Sequence, residues 1–193
     1  AGYKSLLAPH HAARLEKALW QGWRGNAKSM LAYVSKATQS LGKAQLGLMT
    51  NARGVDALIS AVPGQLKNHP GLAHARFEWR LRKDMQDRAI ELLLEQSKSK
   101  EALGQPERWA KQRQNLVRTD LRAKKYRRAY SIASTHHLTS GSQFANLEWL
   151  AGYIALRHMG QPDLAVWHFT NLKNVVATPI SLGRAGYWLG RAY

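Results

Sequence analysis

Apolar residues recur at three- and four-residue steps along most of the chain, the spacing of one face of an α-helix. The pattern is clearest over residues 144–193. Gly160 ends the first helix there, and Pro162 and Pro179 open the next two, because proline is tolerated in a first helical turn. The short loops between these helices predict antiparallel neighbours. The apolar face of the first helix consists of Phe144, Leu147, Ala151, Ile154, Ala155 and His158.

The same spacing predicts helices through the rest of the chain. Asn26 is predicted to be an N-cap after breaks at Gly22 and Gly25, and Asp84 is predicted to cap the helix that follows it. No segment alternates with the period of two that is typical of a strand, so the fold class is all-α. The predicted helices before the last three cover residues 10–21, 27–37, 39–49, 55–62, 72–82, 85–96, 106–123 and 126–136.

Short segments repeat along the chain. Trp149-Leu150-Ala151-Gly152 returns as Trp188-Leu189-Gly190-Arg191, and small residues after each tryptophan predict close helix contacts. Ala89, Ala129 and Ala165 occupy equivalent places in three helices. Two-helix units that repeat at the spacing of these alanines indicate an α-solenoid, a right-handed superhelix of antiparallel helix pairs like tetratricopeptide repeats. We interpret residues 1–193 as a single domain, with residues 63–71 as an internal loop, because about 60 residues before that loop would have a thin core.

The last fifty residues carry a resemblance to a known family. The segments that carry it are Glu148–Arg157, His168-Phe169, Thr178–Ser181 and Ala185–Ala192. In these segments the chain resembles the end of the superhelical domain of soluble lytic transglycosylases, which are periplasmic bacterial enzymes that cleave peptidoglycan. The likeness extends more weakly to Pro106–Trp109, to His69–Leu72 and to Arg14-Leu15.

The resemblance implies a ring- or horseshoe-shaped scaffold that precedes a lysozyme-like catalytic domain. That domain, a lyase, would cleave the MurNAc–GlcNAc bond without hydrolysis. The helix pattern runs to Tyr193 without a stop signal, so we expect the chain to continue. No apolar leader follows Ala1, so a periplasmic location is an expectation from the resemblance alone. The alternative is a stand-alone helical-repeat module that binds proteins.

The segment itself is predicted to be non-catalytic. The family uses a glutamate in a Glu-Ser pair followed by Gly-Leu-Met-Gln, and this chain has no Glu-Ser pair. Gly47-Leu48-Met49-Thr50 therefore reads as helix core, and the twelve acids read as helix caps and ion-pair partners.

No cofactor or metal site is predicted either. Absence of cysteine excludes disulfides and thiolate chemistry. His136 and His137 are adjacent, so on a helix they would point about 100° apart and would fit a helix C-terminus instead. His158 and His168 are predicted to be satisfied core residues. The longest apolar runs fall short of the roughly 20 residues that a membrane span needs.

A net charge of +17 predicts attraction to polyanions. The densest basic cluster is predicted to form a ligand-binding surface. The resemblance favours peptidoglycan or another anionic wall polymer as its partner, with a protein partner as the alternative. A nucleic acid is disfavoured, because no repeat shows a base-reading pair at a regular position. The cluster consists of Arg118, Arg122, Lys124, Lys125, Arg127 and Arg128.

The seven tryptophans divide into two groups. Trp79, Trp149 and Trp188 recur with the repeats and are predicted to anchor the core. The others could stack on sugar rings, although packing is the favoured interpretation for all seven. This second group consists of Trp20, Trp23, Trp109 and Trp167.

Overall fold

The computed structural model describes residues 7–193, and that part of the chain is helical, without a β-strand. The all-α prediction is confirmed. Three short 3-10 turns supplement the α-helices at Ala8–His10, Leu31–Tyr33 and Gly64–Leu66. The α-helices are α1 His11–Gln21, α2 Arg24–Met30, α3 Lys36–Thr50, α4 Val55–Ser60, α5 Pro70–Arg82, α6 Gln86–Gln96, α7 Lys100–Leu103, α8 Pro106–Arg122, α9 Tyr126–Ser134, α10 Gly141–His158, α11 Pro162–Val175 and α12 Pro179–Ala192.

The chain divides into two compact units, Ala1–Leu92 and Leu93–Tyr193, with the boundary inside α6. In the first unit α1 packs on α2, and α3 packs on α4 and α5. The loop predicted at residues 63–71 lies inside this unit. One apolar cluster lies between α1 and α2 and a second gathers α3, α4 and α5. The buried members of these clusters are Leu15, Ala18, Leu19, Ala27, Leu41, Ala44, Leu48, Val55, Val62, Leu72 and Ala75.

In the second unit each long helix packs on the next one along the chain, from α8 through α12. Alternate helices also touch, α8 with α10 and α10 with α12. This is the packing expected when antiparallel helix pairs are stacked, and it agrees with a solenoid-like arrangement. The apolar face predicted for α10 is buried at Phe144, Leu147, Ala151, Ile154 and Ala155.

The predicted alanine repeat corresponds to a repeated turn in the backbone. Asp84, Lys124 and Gly160 each adopt a left-handed conformation at the end of one helix and just before the next. The fifth residue after each is an alanine that is fully buried, and these are Ala89, Ala129 and Ala165. The first two turns also share a backbone bond, 2.9 Å from Met85 N to Arg80 O and 2.8 Å from Lys125 N to Asp120 O. A small residue is needed where the second helix returns against the first.

The close approach predicted after Trp149 occurs, but its second copy does not. A Cβ added to Gly152 would lie 2.6 Å from Phe169 Cε1, so α10 and α11 touch at this glycine. A Cβ added to Gly190 would meet nothing within 4 Å. The two repeated tryptophans contact each other, Trp149 against Trp188 edge to face with ring centroids 5.9 Å apart.

Two predicted helix caps were wrong. Asn26 lies inside α2, whose N-cap is Trp23, and the stripe predicted over residues 27–37 is interrupted before α3. The interruption occurs because Ser35 caps α3, its hydroxyl accepting from Thr38 N at 3.2 Å. Asp84 does not cap α6, since its left-handed backbone places it two residues before the helix starts.

The loop predicted between α6 and α8 contains a short helix, α7, capped by the Ser99 hydroxyl. Gly47 and Leu48 are buried in α3, as their interpretation as helix core predicted. Over residues 7–193 no helix is long and apolar enough to cross a membrane.

Candidate functional site

An open groove of about 700 Å³ lies in the second unit, beside the turn that joins α8 to α9. One wall comes from that turn and from the start of α9, and the other from the junction of α10 and α11. Four of the six basic residues that the sequence predicted as a binding surface lie in its lining. The lining residues are Lys124, Lys125, Tyr126, Arg127, Arg128, His158, Met159, Gln161 and Leu164.

The left-handed turn presents the cations of the groove. Lys124 has a φ of 59°, and it is exposed, as are Lys125 and Arg127. Helix α9 starts at Tyr126, so the positive end of its dipole adds to the field of these side chains. Within residues 7–193, these three cations form no ion pair with a carboxylate. Their charge is therefore available to an anion that enters the groove.

Arg128 has a different role from its three neighbours. It donates two hydrogen bonds to Asp120, from Nε to Oδ2 at 2.6 Å and from Nη2 to Oδ1 at 2.8 Å. Asp120 is buried, and its backbone oxygen accepts from Lys125 N. The pair ties α8 to α9 on both sides of the turn, so Arg128 holds the groove in shape while Lys124, Lys125 and Arg127 supply its charge.

A stacked pair of rings forms part of the groove wall. Tyr126 and His158 lie nearly parallel, with centroids 4.3 Å apart and 10° between their planes. Tyr153 then meets His158 edge to face at 5.6 Å. His158 is exposed, so its prediction as a core residue was wrong: it ends α10, and its side chain extends into the groove.

The remaining two residues of the predicted basic surface lie outside the groove lining. Arg118 and Arg122 are exposed on α8, and Arg122 Nη2 lies 3.4 Å from Thr119 Oγ1. They contribute charge near the groove without lining it. The groove thus combines three available cations, a helix N-terminus and a stacked aromatic pair in its wall, which suits an anionic ligand that also carries apolar ring or chain segments.

A buried polar network in the same unit was not predicted. Glu148 accepts from His136 Nε2 at 3.1 Å and from His168 Nδ1 at 2.7 Å, and His168 Nε2 pairs with the Tyr130 hydroxyl at 3.1 Å. Glu148, His136 and His168 are each at most 4% exposed. His168 is therefore a satisfied core residue, as predicted. His136 lies beyond the end of α9 and joins the core, so its interpretation as a helix C-terminus residue was wrong.

The hydrogen bonds fix the protons in this network. His136 Nδ1 accepts from Leu138 N at 2.9 Å, so the ring hydrogen is on Nε2 and points to Glu148. Burial by itself would raise the pKa of Glu148, but the hydrogen bonds from the two imidazoles outweigh it and hold the pKa below its ordinary value. Burial also raises the pKa of Tyr130. Glu148 is an ionised, fully bonded core carboxylate and does not line the groove.

Arg113 is a second buried charge that was missed. It is 1% exposed and donates to Ile132 O at 2.6 Å, to Ser97 Oγ at 2.6 Å and to Thr135 Oγ1 at 3.2 Å. Burial lowers its pKa to about 9, so it stays charged at neutral pH. By satisfying a carbonyl near the end of α9, it fixes that helix against α8.

The tryptophans follow their predicted packing only in part. Trp20 and Trp109 are buried, and Trp109 Nε1 donates to Leu103 O at 3.0 Å. Trp23 and Trp167 are 51% and 56% exposed, so the packing interpretation was wrong for both. Trp23 lies in the link between α1 and α2, and Trp167 lies on the exposed face of α11, and the apolar stripe distinguished neither position from the core.

Within the described residues no group of three or more histidines and acids could hold a metal ion. Comparison of the chain with protein-family models, with curated proteins and with solved structures finds no match.

Proposed function

We propose that this chain is the superhelical scaffold portion of a periplasmic peptidoglycan lytic transglycosylase. In this proposal it binds peptidoglycan and positions it for non-hydrolytic cleavage by a catalytic domain outside the present chain. The observation that carries the proposal is the groove of Lys124, Lys125 and Arg127 beside the Tyr126–His158 stack. Peptide stems supply carboxylates for the cations, and the glycan supplies apolar ring faces for the aromatic surface.

The sequence resemblance supports the proposal from a second direction. Among the segments that carry it, Glu148–Arg157 lies in α10, the helix that also supplies His158 to the groove. Tyr153, in that segment, meets His158 edge to face and so supports one ring of the groove wall.

The experiment is retention on purified sacculi at two salt concentrations. We expect the chain to sediment with sacculi at low salt and to be released at high salt, because exposed charge interactions are screened. Substitution Lys124→Gln, Lys125→Gln, Arg127→Gln should reduce retention at least about tenfold. The matched control Lys98→Gln, Lys111→Gln, Lys173→Gln removes the same charge from exposed positions outside the groove and should retain binding.

Two outcomes would overturn the proposal. Equal loss in both triple variants would mean that net charge, rather than the groove, holds the protein on the wall. Release of anhydro-muropeptides by the chain alone would contradict its role as a non-catalytic scaffold.

A further inference from the structure

A second cleft, of about 440 Å³, lies in the first unit between α1 and α2. Its most unusual member is Trp23, which stands in the link between the two helices and is half exposed. Exposure of a large apolar ring to water is unfavourable, whereas Trp20, one turn earlier, is buried. The lining residues are Arg14, Lys17, Ala18, Trp23, Asn26, Ser29 and Met30.

The backbone holds Trp23 in place. Trp23 N donates to Ala18 O at 2.8 Å, and Trp23 O accepts from Ala27 N at 2.9 Å. Gly22 supplies the left-handed conformation, with φ of 73°, that ends α1 just before it. The indole is therefore exposed on a backbone link that is already fixed, so binding need not order the link itself.

The polar residues of the cleft define the ligand it would take. Arg14 and Lys17 are exposed, and neither forms an ion pair with a carboxylate of residues 7–193. Asn26 offers both a donor and an acceptor, and the Ser29 hydroxyl, which donates to Gly25 O at 3.2 Å, can still accept. A ring face, two cations and paired hydroxyl-binding groups together match a sugar that carries a carboxylate.

We propose that the Trp23 cleft binds an acidic saccharide, with one ring stacked on the indole and its carboxylate held by Arg14 and Lys17. The volume lies within the range of small-ligand sites. Single-stranded nucleic acid uses successive stacking platforms, and Trp23 is the one aromatic residue in the lining. The proposal concerns the first unit and does not depend on the groove in the second.

The test is calorimetric titration with tetragalacturonate, an acidic tetrasaccharide, with neutral maltotetraose and with oligothymidylate. It uses the chain that carries the Lys124→Gln, Lys125→Gln, Arg127→Gln substitutions, so that the groove does not contribute. We expect binding of tetragalacturonate in preference to maltotetraose. Failure here addresses the Trp23 cleft alone, whereas failure of sacculus retention by the unsubstituted chain addresses the proposed function.

Variants separate stacking from charge. Trp23→Ala should weaken binding about tenfold or more, and Trp23→Phe should keep most of it, because one aromatic face is the contact. Trp167→Ala is the matched control, an equally exposed tryptophan outside this cleft, and should change nothing. Arg14→Gln with Lys17→Gln should abolish the preference for the acidic tetramer.

Circular dichroism of each variant establishes that it is folded. Absence of tetragalacturonate binding, equal loss in Trp23→Ala and Trp167→Ala, or tighter binding of oligothymidylate than of either saccharide would each overturn the proposal.

Discussion

The turn before α6 and the turn before α9 share a backbone but carry opposite charge. Asp84 and Lys124 are both left-handed, and the alanine five residues later is buried in each case. Around the first turn the residues are Asp84-Met85-Gln86-Asp87, and around the second they are Lys124-Lys125-Tyr126-Arg127. The repeat thus determines the geometry of the turn, while the exposed side chains are free to differ. Of these two turns, only the basic one lines the large groove.

The two units also differ in their cores. In the described part of the first unit Gln45 is the buried polar side chain, whereas the second unit buries Arg113, Asp120, Glu148 and two histidines. These groups hold α8, α9, α10 and α11 together by directional bonds. We infer that the second unit has the more precisely positioned helices and that its stability depends on pH and on single polar side chains.

The largest effect should come from Glu148. Substitution Glu148→Gln should lower the free energy of unfolding by about 3 kcal/mol, because a buried carboxylate held by two imidazoles is replaced by a group that cannot satisfy both as well. Urea unfolding at neutral pH followed by circular dichroism measures it. Glu95→Gln, an exposed acid of the same unit, should change the value by less than about 0.5 kcal/mol.

The same pair of proteins tests the pH dependence. Since the folded pKa of Glu148 lies below its unfolded value of about 4.3, its contribution is present above that pH and is lost as the pH falls through the folded pKa. The stability difference between the unsubstituted chain and Glu148→Gln should therefore shrink below about pH 4. A difference that stays constant down to acid unfolding would contradict an ionised Glu148.

A smaller loss in the free energy of unfolding should follow from breaking the Asp120–Arg128 pair at the second turn. Asp120→Asn should cost about 2 kcal/mol, since it weakens the two bonds that Arg128 donates to a buried carboxylate. In the first turn the position that corresponds to Asp120 is Arg80, four residues before the left-handed residue. Arg80 donates to Arg88 O at an exposed site. Arg80→Gln should therefore cost less than about 1 kcal/mol in the same urea titration. Equal costs would mean that the two turns are stabilised alike.

Exchange of the turn residues tests whether the charged side chains of the second turn are responsible for binding to sacculi. Lys124→Asp, Lys125→Met, Tyr126→Gln, Arg127→Asp places the first turn's residues in the second and should reduce sacculus retention about tenfold, equivalent to roughly 1.4 kcal/mol. The reverse exchange, Asp84→Lys, Met85→Lys, Gln86→Tyr, Asp87→Arg, made in that variant, restores the charge in the first unit. We expect it not to restore retention, and full recovery would show that net charge suffices.

The smallest effect concerns the left-handed residues themselves. Lys124→Gly should raise the free energy of unfolding by about 0.5–1 kcal/mol, because glycine adopts a positive φ without steric cost. Asp84→Gly should gain less, since a short polar side chain tolerates this conformation better than lysine does. Thermal unfolding of both variants ranks the gains. A loss of stability in Lys124→Gly would mean that the lysine side chain makes a stabilising contact at the turn.

Local signals in the sequence predicted much of the fold. Pro162 and Pro179 mark helix starts, and Gly160 marks a stop. These succeed because each effect acts within a few residues of its cause. The start of α3 was missed because the apolar stripe predicted over residues 27–37 continues across it. The boundary is set by the Ser35 cap, which the stripe does not reveal.

The candidate site could be predicted only in part. The basic cluster is contiguous in sequence, so it was visible. Glu148 also left a signal, since it lies one turn from Phe144 on the apolar face of α10, where an acid is unexpected. Its histidine partners lie 12 and 20 residues away, and such distances carry no periodicity. The Tyr126–His158 stack also forms only through tertiary packing, so it has no local signal in the sequence.

The contact between Gly152 and Phe169 couples the sizes of the side chains at two positions. Any side chain at residue 152 would occupy space already filled by the phenyl ring, and the ring cannot move away without opening the seam between its two helices. A larger residue at one position therefore requires a smaller residue at the other. Among related sequences these two positions should vary together, so that the summed volume of the two side chains stays about constant.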